Sequence, residues 1–310
     1  MSTSKPAFQP FDLAREADYQ QWRSAKLTGY TTETAEPVVP VSNLAALDGQ
    51  EHQAILARCR KTNLAIYEVR GGGDTGKQAI RAFGRQFGLE TLDMNLRADE
   101  DSITSLRVVE AGAGTHYIPY TDRPLNWHTD GYYNRLDEQV RGIVMHCAAA
   151  ASSGGENRFL DPEIAYLLLR DENPDYIAAL MQPDAMTIPP NIEAGVELRP
   201  AQAGPVFSVA PDTGALHMRY TARTRSIEWK DDRNTREAVG FLVELLASDS
   251  IYIIRHRLRA GQGVICNNVL HRREAFSNDA SRGQERLLYR ARYHERIRGT
   301  EMTNRNTVEV

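Results

Sequence analysis

A chain of 310 residues can bury one large core or two smaller ones, and 41% hydrophobic with 25% charged residues is an ordinary balance for a globular protein. A formal net charge of −4 gives no general attraction to phosphate backbones, which argues against nucleic acid as the main partner. Cys59, Cys147 and Cys266 are too few and too scattered for a disulfide framework or a zinc cluster. No basic stretch followed by an apolar run opens the chain, and no segment has the apolar length of a bilayer span, so a cytoplasmic protein without membrane attachment is expected.

Residues 1–45 are mixed and proline-bearing and are expected to wrap the outside of the fold. Over 48–61, Ile55, Leu56 and Cys59 recur at helical spacing. Residues 63–69 read as a strand broken by Gly71-Gly72-Gly73, and 78–87 as a helix closing at Gly88. Strand-like runs follow at 103–109 and 142–147. Asp161-Pro162-Glu163 opens a helix with an N-cap, a proline at the first helical position and an acid in the first turn. Further helices are expected at 175–181 and 234–247, the latter with Asn234 and Glu237 near capping-box spacing. Short strands are expected at 206–209, 215–219, 251–257, 263–267 and 286–294. Helices early and in the middle with many short late strands suit a sandwich or jelly roll buttressed by helices.

His128-Thr129-Asp130 is the first candidate site. In an extended segment alternate side chains share a face, so His128 and Asp130 would point the same way and offer one cation a nitrogen and an oxygen. A second imidazole from a distant strand would complete a 2-His-1-carboxylate face with positions open on Fe(II). By itself the pair is also what a chance histidine near an aspartate would give. His271 is the candidate third ligand, at the end of a segment in which Gly261 and Gly263 launch a short apolar run into a polar bend. Downstream, Arg286, Leu288, Arg290 and Arg292 fall on one face of a strand. Either these arginines face an interior and meet anions there, or they face solvent while Leu287, Tyr289 and Ala291 pack inward.

Together these segments resemble the taurine catabolism dioxygenase (TauD/TfdA) superfamily, with γ-butyrobetaine hydroxylase-like features. The resemblance covers about residues 60–295. It rests on the strand, helix and Phe87-Gly88-Leu89 turn, on Asn126-Trp127-His128-Thr129-Asp130, and on Met145-His146-Cys147 followed by Gly154-Gly155-Glu156-Asn157. It rests further on the glycine-turn segment ending at His271 and on Arg286 and Arg290. The resemblance implies an α+β, mainly β fold: a double-stranded β-helix (jelly roll, cupin-like) core in one domain over 1–310. An inserted helical segment would occupy about 160–250 and a loose tail 298–310. It implies Fe(II) held by His128, Asp130 and His271, with 2-oxoglutarate as co-substrate and O₂ as oxidant. Arg286 would pair with the distal carboxylate of 2-oxoglutarate, and Arg290 would be a second contact to it or a substrate-facing group. Asn157 stands where relatives often place a threonine that helps bind the co-substrate, and Asn267 where an Asp-Asn pair is more usual. The reaction would be hydroxylation (or desaturation) of a small molecule with release of succinate and CO₂, since Asp130 is retained where halogenating relatives carry a small residue.

For the substrate, Asn126, Trp127, Tyr132 and Tyr133 flank the metal motif, and Arg219, Arg223 and Arg225 could greet an anion. An aromatic cage for a cation and a basic patch for an anion point in opposite directions. The bland readings of the same residues are core packing and a solvated face. A homo-oligomer is compatible with the sequence. Two other classes compete. Gly71–Lys77 nearly matches a phosphate-binding loop after a strand and before a helix, but Gln78 stands where a hydroxyl should hold Mg²⁺. A non-enzymatic β-barrel binding module would leave His128, Asp130 and His271 merely structural.

Overall fold

The computed structural model describes residues 8–31, 38–94, 99, 101–109, 117–223 and 227–302. In chain order, its framework begins with α1 (Glu16–Leu27), β1 (Val38–Val41), α2 (Gly49–Thr62), β2 (Leu64–Val69), α3 (Lys77–Gln86) and β3 (Thr104–Leu106). It continues with β4 (Leu125–His128), β5 (Gly142–Ala149), β6 (Asn157–Leu160), α4 (Pro162–Glu172), α5 (Pro174–Leu180) and α6 (Arg233–Ala247). Four strands close it: β7 (Ile254–His256), β8 (Gln262–Cys266), β9 (Leu270–Arg273) and β10 (Leu287–Tyr293). No described helix is long and apolar enough to cross a membrane.

A six-stranded sheet has the order β1-β2-β8-β5-β10-β3 and a four-stranded sheet the order β7-β6-β9-β4. All neighbours are antiparallel except β1 and β2. Alternation divides each strand between two apolar clusters. Ile143 and Cys147 of β5, Val264 and Cys266 of β8 and Leu288 of β10 join Phe159 of β6 and Ile254 of β7 in one cluster. Val144, Ile265, Ala291 and Tyr293 turn the other way, onto Ile55 and Leu56 of α2 and Ile80 and Phe83 of α3. Trp127, Leu160 and Leu270 of the four-stranded sheet pack with Ile164 and Leu167 of α4 and Leu242 and Leu246 of α6. Helices thus cover the outer faces, which explains why β5, β8 and β10 are buried along most of their length instead of reading as half-polar strands.

Local chemistry sets the helix starts. Asp48 caps α2 through the amides of Gln50 and Glu51, and the Glu51 carboxylate returns to the Asp48 amide, a complete capping box. Asp161 caps α4 at the Glu163 amide, with Pro162 in the first turn as its sequence implies. The start of α6 differs from expectation. Its cap is Asp232, not Asn234, because the Asp232 carboxylate accepts from both the amide and the hydroxyl of Thr235.

Other differences come from tertiary contacts. The segment expected to wrap the outside contributes β1, an edge strand of the large sheet, and places Phe11, Tyr19, Trp22 and Tyr30 in the core. Lys26 of α1 is buried between the carboxylates of Asp161 and Glu163, a charge placement that no local pattern announces. The runs 103–109 and 251–257 shrink to the three-residue strands β3 and β7. At Gly71–Lys77 the lysine ammonium is held by Asp99, Asp101 and the Ile103 carbonyl, so it faces acids and not a phosphate cradle. Residues 1–7, 32–37 and 303–310, parts of the expected wrapping segment and tail, and Arg225 lie outside the described residues.

His146, on the outward face of β5, is fully buried. Its Nδ1 shares a 3.2 Å hydrogen bond with the Tyr67 hydroxyl, and Nε2 has no hydrogen-bond partner. Burial pushes its pKa down to about 4. The folded state therefore takes up this proton later than the unfolded chain, so stability is lost as pH falls from the ordinary histidine value of roughly 6.5 towards about 4. A His146→Gln protein should show urea midpoints less sensitive to acid in that window, recovering on the order of 3 kcal/mol of the acid loss. An unchanged pH profile would show that His146 is not the group that titrates.

Candidate active site

The site grows from one pairing, that of β9 with β4, which sets His271 directly opposite His128. Their ring centroids are 4.3 Å apart. Each ring is fixed in the same way: Nδ1 of His128 lies 2.8 Å from the Asn126 carbonyl and Nδ1 of His271 2.9 Å from the Val269 carbonyl, each two residues back. A carbonyl can only accept, so Nδ1 carries the proton and Nε2 is left as a bare lone pair. Asp130 follows His128 by two and leads into a turn at Gly131 (φ +66°), where a Cβ would stand 2.6 Å from Val140 Cγ2. Ligand atoms of His128, Asp130 and His271 all lie within 4.8 Å of one another.

The donor set fits a divalent metal. Asp130 is 5% exposed; its Oδ1 accepts from Arg290 Nη1 at 3.1 Å, while Oδ2 is buried without a hydrogen-bond partner. An orphaned carboxylate oxygen costs free energy unless a cation meets it. Burial would raise the Asp130 pKa, but the Arg290 charge, with Arg292 behind it, outweighs it and holds the carboxyl well below the usual range. Burial, with the neighbouring His128, pushes His271 down to about 4. Both groups are thus in their ligating forms at neutral pH.

Arg286, just ahead of β10, and Arg290 and Arg292 within it are all buried, in favour of the interior reading. Arg292 is engaged by Asp93 and by the Tyr133 hydroxyl, and Arg290 by Asp130. Arg290 was expected to contact co-substrate or substrate; the acid it meets is the metal-ligand carboxylate itself. Arg286 has no carboxylate partner among the described residues. Its guanidinium lies 4.8 Å from the Phe276 ring and lines a pocket with Asn157, Cys147, Leu258 and Arg257. Burial pulls its pKa down to about 10, which leaves it charged at neutral pH. Asn157 shares this pocket, its Nδ2 3.4 Å from the His256 carbonyl.

Among the candidates for substrate contact, two are corrected. Trp127 is turned away from the triad into the aromatic core, where Nε1 donates to the Leu246 carbonyl at 3.0 Å. Arg219 is 2% exposed and donates to the Met186, Gln202 and Gly204 carbonyls, so it staples short strands together instead of greeting an anion. The Asn126 side chain is exposed, and its part in the site is the carbonyl that orients His128. Tyr132 is half-buried and packs edge-on against Tyr133. Two residues that sequence reasoning passed over are Asp93, which neutralises Arg292, and Asn268, which bonds the Asp130 backbone. The adjacent Asn267-Asn268 pair before His271 was the only available sign of the latter.

Two histidines and one carboxylate brought together in this way form a 2-His-1-carboxylate set that could hold a metal ion, the pattern of mononuclear non-haem iron(II) oxygenases. The profile of the family described as "Taurine catabolism dioxygenase TauD, TfdA family" matches residues 24–292, and the chain belongs to that family. Two curated relatives are both named uridine-5'-phosphate dioxygenase. The one from an Amycolatopsis species is 31% identical over 175 residues, 53% of this chain and 60% of its own length. The one from a Streptomyces species is 28% identical over 222 residues, 68% of this chain and 77% of its own. The chain therefore matches only three fifths of the length of the first. Among solved structures, PvcB of Pseudomonas aeruginosa shares the fold with a TM-score of 0.57, at 18% identity over 83% of this chain and 85% of its own. PvcB is described as an Fe, alpha-ketoglutarate dependent oxygenase from an isonitrile synthetic pathway.

The two kinds of arginine separate by mutation. Arg219→Ala should cost roughly 2–4 kcal/mol in urea denaturation, because it leaves buried carbonyls unpaired and opens a cavity. Its affinity for Co(II), used as a spectroscopic stand-in, should match wild type. Loss of metal binding in a folded Arg219→Ala protein would contradict its assignment as a staple.

Proposed function

We propose that this chain is an Fe(II)- and 2-oxoglutarate-dependent dioxygenase that hydroxylates (or desaturates) a small phosphorylated molecule of the nucleotide kind. The observation that carries the reaction class is the His128–Asp130–His271 cluster, with two oriented Nε2 atoms and one unpartnered buried carboxylate oxygen. Fe(II) held there supplies, with 2-oxoglutarate and O₂, the oxidation of an unactivated C–H bond coupled to release of succinate and CO₂. The protein's part is ligand geometry, charge and exclusion of water. Arg290 occupies one oxygen of Asp130, which leaves the other for the metal. Arg286, buried and without an acid partner, would take the distal carboxylate of the co-substrate, with Asn157 beside it in the pocket. Arg286 directly precedes the strand that carries Arg290, so a dicarboxylate paired with Arg286 would lie on the side of the site away from the Arg290–Asp130 pair.

The substrate class rests on the names of the two curated relatives. We read the six- and four-stranded sheets as the two walls of a double-stranded β-helix within a single domain. The three cysteines are free and buried, which supports a reducing, cytoplasmic setting.

The test is anaerobic addition of Fe(II) and 2-oxoglutarate, followed by the weak visible charge-transfer band and then by succinate release on admitting air. Arg286→Ala should weaken 2-oxoglutarate binding roughly 10- to 100-fold, the loss of a charge-assisted pair. The Arg286 guanidinium keeps its charge despite its burial, so affinity should be flat across the neutral pH range. Uridine 5'-phosphate and other nucleoside monophosphates should stimulate succinate release. Stimulation by neutral compounds alone would overturn the substrate class, and a folded protein with no band at any 2-oxoglutarate concentration would overturn the reaction class.

A further inference from the structure

We propose that Asn268 is the positioning residue that locks the metal-ligand turn of Asp130 to the loop carrying His271; this rests on the metal-site reading above. Asn268 is 1% exposed and adopts the left-handed conformation (φ 48°), which asparagine tolerates better than most residues. That backbone twist aims its side chain across the site. Oδ1 accepts from the Asp130 amide at 2.8 Å, and Nδ2 donates to the Asp130 carbonyl at 2.9 Å and to the Val140 carbonyl at 2.6 Å. One side-chain amide thus satisfies both main-chain groups of a metal ligand and fastens them to the residue leading into β5. Among the described residues no other hydrogen bond to either Asp130 backbone atom is seen.

The same loop orients the third ligand. Val269, the next residue, provides the carbonyl that receives His271 Nδ1–H. Asn268 therefore couples two ligands that lie 141 positions apart in the chain (130 and 271), through atoms that touch neither ligand's donor atom. Its neighbour Asn267 faces the opposite way. The Asn267 side chain donates to Asn63 Oδ1 and Thr300 Oγ1 and accepts from the Ile297 amide. The two asparagines make equal numbers of buried side-chain hydrogen bonds, but only Asn268 reaches the metal turn. A general loosening of the loop would follow from losing either. A change in ligand geometry would follow only from losing Asn268.

The experiment compares Co(II) binding and its ligand-field absorption in wild type, Asn268→Gly, Asn268→Asp, Asn267→Ala and Asp130→Ala. Glycine keeps the left-handed backbone while removing the clamp, and aspartate keeps the shape while losing both donors. Asn268→Gly and Asn268→Asp should bind Co(II) at least tenfold more weakly, with an altered ligand-field spectrum. Asn267→Ala should melt at a lower temperature yet bind within twofold of wild type with an unchanged spectrum. Wild-type affinity and spectrum in a folded Asn268→Gly, or in Asn268→Asp should the glycine variant not fold, would overturn the proposal. So would an equal loss of affinity in Asn267→Ala. Wild type that binds no Co(II), or Asp130→Ala that binds it normally, would overturn the metal-site reading itself.

Discussion

A carboxylate buried between two sheets is the constraint from which the rest of the site follows. An ion moved out of water costs several kcal/mol even after relaxation, and an opposite charge in good geometry is the usual remedy. Asp130 has half of that remedy inside the chain: Arg290 holds one oxygen, and the other is left bare. The same requirement propagates along β10. Arg290 is buried because Asp130 needs it, and Arg292, on the same face two residues on, is buried because Asp93 and Tyr133 receive it. Each of these two arginines thus meets a carboxylate where it turns inward. The sheet packing and the metal site are therefore one electrostatic problem.

That problem is not solved symmetrically. Four guanidiniums, of Arg273, Arg286, Arg290 and Arg292, are buried in this region against the two carboxylates of Asp93 and Asp130. The surplus sits at one end, since among the described residues Arg290 and Arg292 have acids and Arg273 and Arg286 do not. Arg273 donates to the Thr121 and Arg123 carbonyls, and Phe276 lies against both uncompensated guanidiniums. Among the described residues, the Arg286 guanidinium lines a pocket with no carboxylate partner. The polarity is laid out along the strand, with a bare anionic oxygen at the metal end and a bare cation at the pocket end. A metal and a dicarboxylate bound side by side complement both.

How much of this was legible in the sequence depends on whether the cause was local. His128 and Asp130 could be brought together because their spacing is local, although β4 ends at His128 and Asp130 stands in the turn that follows, not on the strand. Asp48 and Asp161 could be read as helix starts because a cap acts within three residues. Arg286, Arg290 and Arg292 could be placed on a common face, but not inward or outward, because that choice is made by acids on other segments. Trp127 and Arg219 fail as substrate contacts for the same reason. The carbonyls they meet, of Leu246 and of Met186, belong to elements whose approach no local pattern specifies. Asp232 displaced Asn234 as a cap by a margin of two residues, within reach of a local rule but decided by the second hydrogen bond from Thr235.

The residues hardest to find in sequence are those that act on the backbone of others. A side chain that ligates a metal must be one of a few chemical types, so composition and spacing narrow the search. A side chain that holds another residue's amide and carbonyl needs only to be an amide of its own in the right place. Asn267 and Asn268 are identical in type and adjacent in sequence, yet one points to the carboxy-terminal turn and the other to Asp130. Asn268 also differs in its backbone, which is left-handed (φ 48°). The pairing of β4 with β9 places the two histidines, whose own hydrogen bonds are to carbonyls two residues away, and the Asp130 turn beyond the end of β4 is tied to the same loop by Asn268. Local bonds set how each histidine ring is turned; the bond from Asn268 sets where the Asp130 turn stands relative to His271.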